Sequence, residues 1–260
     1  MRKLILSNRQ CLGDDAMLTA TIRDLHAAYP GQFQTDVRTA CPAIWENNPH
    51  ITPLREDDPG VEVIQMHCPL IHQSNQLPYH YLHAFTQFLE QMLGLRIPVT
   101  KFSGDIHLTD EEKSAPPLEG YSLPEWFWLI VSGGKYDFTA KWWNPAYYQQ
   151  VVDHYRGKLA FVQIGEAGDF HPALNGVLNL VGKTSLRQLI RLVYFCAGGL
   201  CPVTGLMHLI ASIETPPGRP KHRPCIIPAG GREPGPWEAY PHHQLISTVG
   251  ALTCCEHGAC

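Results

Sequence analysis

Three short stretches of this sequence combine residue types that do chemistry with spacings that would hold them together. The first is Leu12-Gly13-Asp14-Asp15, just after the apolar run Leu4-Ile5-Leu6. A glycine there permits a tight turn, and a carboxylate at a helix start is favoured by the helix dipole. Asp14 on such a turn is placed to act as a general base toward a hydroxyl. Asp14 or Asp15 could equally serve only as a helix cap. The second stretch is Cys201-Pro202-Val203-Thr204-Gly205-Leu206-Met207-His208-Leu209. Thr204 and Gly205 open a helix whose free amides form an anion site, and His208 follows Thr204 by one turn on the same face. The third is Lys141-Trp142-Trp143, downstream of the turn Ser132-Gly133-Gly134. A lysine beside a glycine turn can neutralise a diphosphate, although a solvated lysine flanked by core tryptophans would read the same.

A different chemistry is suggested by Cys254, Cys255, His257 and Cys260, which pack three thiols and an imidazole into seven positions. Cysteine and histidine are ligands for tetrahedral Zn or Fe, so a structural metal held by Cys254 or Cys255 together with Cys260 is one expectation, free thiols the other. The remaining six cysteines are scattered, and their expected state is buried free thiol.

The elements that must position these groups follow an α/β alternation. Lys3 to Leu6 reads as a strand, Asp15 to Tyr29 as a helix ended by Pro30-Gly31, and Phe33 to Val37 as a second strand, which makes a βαβ unit. Val61 to Met66 reads as a strand and Tyr79 to Leu93 as an amphipathic helix stopped at Gly94. The stretch Thr109 to Pro124, with Pro116, Pro117, Gly120 and Pro124, reads as an interdomain linker. Alternation then restarts: strands at Trp126–Val131, Leu159–Ile164, Val177–Leu180 and Cys225–Pro228, and helices at Pro145–Tyr155, Ser185–Phe195 and Leu206–Ile213. Gly198 and Gly199 read as breakers. The expectation is two Rossmann-like, doubly wound domains, residues 1–122 and 123–260, facing across a cleft.

A hydrophobic share of 44% and a charged share of 17% suit a soluble globular chain with a sizeable core. A net charge of −4 gives no bulk reason to bind nucleic acid. No apolar run is long enough for a secretory signal or a transmembrane helix, so the expected location is the cytoplasm, with peripheral attachment to the inner membrane left open.

Taken in order, these segments resemble the bacterial heptosyltransferases, glycosyltransferase family 9. Gly13-Asp14 through Thr19 is similar to the family's G-D-x-x-x-x-T pattern, and Asn48-Pro49-His50-Ile51 to its N-P-x-I segment. Lys141-Trp142-Trp143 resembles K-x-W, and Gly182 to Leu189 resembles G-x-T-S-L-x-E-L with Gln188 in place of the acidic residue. Thr204-Gly205-Leu206-Met207-His208-Leu209 resembles D-T-G-x-x-H-L, with Val203 where the pattern has Asp.

The resemblance implies a GT-B fold and inverting transfer of a heptose-like sugar from a nucleotide-diphosphate donor such as ADP-heptose. The acceptor would be a glycan, lipid-linked or protein hydroxyl. It implies Asp14 as base, Ser132, Lys141, Thr204, Gly205 and His208 around the donor, and Asp169 or Glu166 at the nucleoside. No catalytic cofactor is implied, and some members hold a cysteine-bound iron near the C-terminus. The family usually continues past the point where this sequence ends, which implies further elements beyond Cys260. Val203 and the stretch from Pro228 to Tyr240 depart from the usual members; Arg232 there is either a bidentate phosphate ligand or a solvated arginine paired with Glu233 or Glu238. Val203 and the short C-terminus keep a non-catalytic nucleotide-sugar-binding homologue as the alternative.

Overall fold

A computed structural model describes residues 1–68, 70, 77, 79–230 and 235–247. Cys254, Cys255, His257, Cys260 and Arg232 fall outside the described residues.

The first sheet has three parallel strands, β1 (Arg2–Asn8), β2 (Phe33–Thr39) and β3 (Val61–Gln65), in the order β2-β1-β3. Helix α1 (Leu12–Ala28) connects β1 to β2 and starts three residues earlier than its periodicity suggests. Gly13, Asp14 and Asp15 therefore lie within its first turn, where two carboxylates meet the positive end of the helix dipole. Leu4, Leu6, Leu18, Ile22 and Leu25 are fully buried between helix and sheet. Asn48 is buried, accepting from the His50 amide and donating to the Asp105 carbonyl, so the Asn-Pro-His-Ile segment pins the outer edge of β2. Helix α2 (Leu82–Leu93) ends at Gly94, whose φ of 66° is left-handed backbone that glycine adopts readily.

The stretch read as a linker is folded and docked. It contains a short helix, α3 (Asp110–Ser114), closed by a reciprocal Thr109–Glu112 capping box. Arg187, from the second half of the chain, donates to Glu112 at 2.6 Å and to the carbonyls of His107 and Ala43, and Leu118 is 1% exposed. Proline and glycine content predicts irregular backbone correctly, but it carries no information about what that backbone packs against.

The second sheet has six strands, all parallel: β4 (Phe127–Ile130), β5 (Ala160–Gln163), β6 (Leu178–Asn179), β7 (Gly198–Leu200), β8 (Cys225–Pro228) and β9 (His243–Ile246). Their order is β6-β5-β4-β7-β8-β9, the nucleotide-binding arrangement that reverses direction between its first and fourth strands. Helices α4 (Pro145–His154), α5 (Leu186–Phe195), α6 (Gly205–Ser212) and α7 (Gly235–Glu238) connect them. Asn144 caps α4 with Pro145 at its first position. Gln188 completes a capping box with Ser185, so its amide serves the start of α5 as an acid would.

Gly198 and Gly199, read from the sequence as breakers, form β7 in the middle of this sheet. A Cβ on Gly198 would meet the Trp128 ring at 2.8 Å, and one on Gly199 would meet Ile210 of α6 at 2.3 Å. The glycines are there because neighbours press on both positions of a central strand.

One hydrophobic core runs through both sheets, from Leu4 and Leu6 through Phe85, Leu129 and Leu209 to Ile227 and Trp237. Cys68, Cys196, Cys201 and Cys225 are buried free thiols, whereas Cys41 is half-buried and Cys11 is exposed, contrary to the expectation for all six. Among the described residues no helix is long and apolar enough to cross a membrane.

Candidate functional site

The reversal point of the second sheet lies between β4 and β7, and in such sheets ligands bind beyond the carboxyl ends of the strands there. Two segments leave at that point: Ser132-Gly133-Gly134 after β4, and Cys201 to Thr204 leading into α6. Thr204 is the N-cap of α6, but its hydroxyl makes no capping bond, so it leaves the first amides of the helix uncapped.

The start of α6 faces the start of α1. A Cβ on Gly13 would fall 2.8 Å from the His208 ring, and one on Gly205 would fall 2.7 Å from Leu12. The glycine of each motif makes room for a side chain of the other helix, which is why the first turns of α1 and α6 approach so closely. Only the tertiary structure shows this reciprocal fit.

Asp14 lies at the junction. Its Oδ2 accepts from the Cys11 amide at 3.1 Å, so it also caps its own helix. Burial raises its pKa above the usual carboxylate range, against the pull of that amide and of His208. Asp15 does not share the site. It is fully buried, accepts from Asn8 at 2.8 Å and from the Thr39 hydroxyl, and is raised to about 6 by burial.

Around His208 the structure gathers groups that no motif announces. Its Nδ1 lies 2.7 Å from the Tyr240 hydroxyl, and its Nε2 lies 3.4 Å from Glu238 Oε2. His208 and Glu238 are 4% and 3% exposed. Tyr240 sits against the rings of His80, His208 and His243, with centroids 4.9, 5.7 and 5.1 Å away. Burial lowers His80 to about 4 and His243 to about 3, and the neighbouring histidines push the same way. Sequence reasoning missed Glu238, Tyr240, His80 and His243. A buried acid in a four-residue helix has no periodicity to mark it.

Lys141 closes a 3-10 turn (Tyr136–Lys141), and its charge reaches Glu238, which in turn acts on Asp14. Asp14, Lys141, His208 and Glu238 thus form one electrostatic neighbourhood. Trp142 stacks on Phe170 with centroids 4.4 Å apart, tying the lysine turn to the loop after β5. Asp169 belongs to that loop, one strand farther from the reversal point, and lies within charge range of His171. Ser132 is fully buried: its hydroxyl donates to the Pro172 carbonyl at 2.9 Å and accepts from Gln163. Its side chain therefore braces the turn, whose backbone is held as well: Gly133 is buried, and Gly134 exchanges amide and carbonyl hydrogen bonds with Phe170. Among the described residues no cluster of three or more His, Cys, Asp or Glu is placed to hold a metal.

The fold recurs in solved structures. The chain is similar to E. coli ADP-heptose LPS heptosyltransferase II, with 18% identity, a TM-score of 0.65, and 95% of this chain and 90% of that one covered. It is similar to E. coli heptosyltransferase WaaC bound to ADP, at 14% identity and a TM-score of 0.60, covering 94% and 90%. It is also similar to the iron-containing dodecameric glycosyltransferase TibC from enterotoxigenic E. coli H10407, at 15% and 0.67, covering 95% of this chain and 62% of that one. No curated protein sequence matches. These likenesses establish the fold as GT-B-like, two parallel α/β sheets meeting at the starts of α1 and α6. The family model for glycosyltransferase family 9 (heptosyltransferase) matches residues 71–217, more than half of the sequence, so the chain belongs to glycosyltransferase family 9.

Proposed function

We propose that the chain transfers a heptose-like sugar from an ADP-heptose-class donor to an acceptor hydroxyl, with inversion at the anomeric carbon. The supporting observation is the meeting of Asp14 on α1 with His208 on α6, beside Glu238, which Lys141's charge reaches, at the reversal point of the second sheet. Asp14 takes the acceptor proton as the acceptor oxygen bonds to the anomeric carbon. The bond from that carbon to the diphosphate breaks on the opposite face, and the diphosphate leaves with the electron pair. Lys141 and the α6 amides beginning at Thr204-Gly205 stabilise the charge it gains. The Ser132-Gly133-Gly134 backbone lies beside the phosphates, His208 borders the phosphates and sugar, and Asp169 contacts the nucleoside.

We assign residues 1–122 to the acceptor side and 123–260 to the donor side. The acceptor class is lipopolysaccharide, another glycoconjugate or a protein, reached at the cytoplasmic face of the inner membrane. WaaC has been solved with ADP and with ADP-2-deoxy-2-fluoro heptose, which supports this donor class. Calorimetry with ADP tests the site: Lys141→Ala is expected to weaken binding about 10- to 100-fold, because a charge-assisted contact contributes about 1.5–3 kcal/mol. Equal affinity in both proteins removes Lys141 from the donor site.

The terminal Cys254, Cys255 and Cys260, with His257, offer a soft donor set suited to one structural Zn or Fe, in a stretch of sequence that follows the last described strand. Metal content and thermal stability should fall together in a Cys255→Ser/Cys260→Ser variant. Elemental analysis that finds no metal in protein prepared anaerobically without chelator excludes it.

A further inference from the structure

Glu238 carries a feature that the scheme above leaves unused. It is 3% exposed, on α7, where Tyr81 donates its amide to the Trp237 carbonyl and closes the segment against the first half of the chain. Its Oε2 forms no hydrogen bond of normal geometry; His208 Nε2, 3.4 Å away, makes only a long charged contact with it. Burial alone would neutralise this carboxyl. The adjacent His208, by its direct contact first and then by its charge, together with the charges of Lys141 and His80, outweighs burial and holds it below the usual carboxylate range, so it stays ionised. A buried, ionised oxygen without a hydrogen bond of normal geometry is a strong acceptor with unspent capacity.

Its surroundings define what it would accept. The α6 amides attract anions, whereas Glu238, which lies within charge range of Lys141, repels them, so phosphate belongs at the start of α6 rather than against Glu238. The group joined to that phosphate, and next to it in space, is the donor sugar, whose hydroxyls are donors. The turn Cys201–Gly205 contains no acidic residue, and its Val203 is 4% exposed, so the turn itself supplies no carboxylate.

We infer that Glu238 binds the donor sugar, with Oε2 accepting hydrogen bonds from hydroxyls of a neutral sugar while His208 separates it from the diphosphate. The assignment rests on the donor reading above and deepens it. It gives the site a preference for uncharged over carboxylated sugars, because a second carboxylate would face Glu238.

The test is calorimetric titration with ADP, and separately with ADP-D-β-D-heptose in the absence of acceptor, of wild type, Glu238→Gln and Glu238→Asp. In Glu238→Gln, ADP affinity is expected to stay within about 3-fold, while affinity for the nucleotide sugar falls about 10- to 100-fold, toward that of ADP. Glu238→Asp, which keeps the charge, is expected to recover part of that difference. Unchanged ADP affinity also shows that the variants are folded. Equal weakening of both ligands overturns the inference, because Glu238 would then act only through His208 or the fold, and so does no change in either. A wild type that binds ADP but gains nothing from the sugar overturns it as well. A wild type that does not bind ADP removes the donor reading itself, and this inference with it.

Discussion

Asp14→Asn is expected to lower the rate of sugar transfer about 10²- to 10⁴-fold while leaving the fold intact, the usual effect of removing a general base. The carboxamide oxygen of Asn still accepts from the Cys11 amide, so the start of α1 keeps its cap. What disappears is the ability to take a proton. Asp15, next in the chain, does not replace it, because it is fully buried and held by Asn8 and Thr39. Burial has raised Asp14, so the acid limb of kcat/KM in the wild type should lie above the range of an ordinary aspartate and be missing from the residual activity of the variant. Transfer assays across pH, with thermal melts as the control for folding, decide the point. Turnover within about 3-fold of wild type would remove the base role from Asp14.

Acidification is expected to unfold the protein between about pH 6.5 and 3, through His80 and His243. Both are held neutral in the folded state, at about 4 and about 3, by burial among other imidazoles. Unfolded histidine takes a proton near 6.5, so below that value the unfolded chain binds protons that the folded one refuses. The stability concerned is fully present above 6.5 and is lost as pH falls toward the folded values. At about 1.4 kcal/mol per unit the loss is about 3 kcal/mol from His80 and about 5 from His243. Asp15 acts in the opposite sense: raised to about 6, it weakens the fold at neutral pH and returns about 3 kcal/mol as it protonates on acidification. The histidines outweigh it by about 5 kcal/mol, comparable with the whole stability of many domains. In His80→Asn the side chain can still accept the Leu82 amide, which His80 accepts through Nδ1 at 3.1 Å. Urea denaturation of this variant should therefore show about 3 kcal/mol less loss between pH 7.5 and 4 than wild type. An identical loss in both would assign the acid sensitivity elsewhere.

Much of this was legible locally. Glycine turns, apolar spacing and capping residues are read over a few neighbours in the chain, and they located α1, α2, α5 and α6 and most strands to within a few residues. Asp14 and the Thr-Gly-x-x-His helix start were each readable singly, because both are local helix starts; that they serve one site was implied only by the family resemblance. The same locality explains the errors. Gly198-Gly199 looks like a break because its cause, the pressure of Ile210 and Trp128, lies outside the window. That the interdomain stretch Thr109 to Pro124 is docked was not readable either, because Arg187, which holds it, is 75 positions from Glu112 in the chain.

From the sequence alone came the α/β alternation, the family and the candidate base, since each depends on residue type and short spacing. Only the tertiary structure decided the strand order, the interlock of Gly13 with His208 and Gly205 with Leu12, and the environment of Glu238. The physical reason is that burial and charge depend on neighbours in space. Glu238 has the composition of an ordinary surface acid. Its ionisation and its oxygen without a normal hydrogen bond arise because α1, α2, α6 and the 3-10 turn ending at Lys141 converge on it from distant parts of the chain.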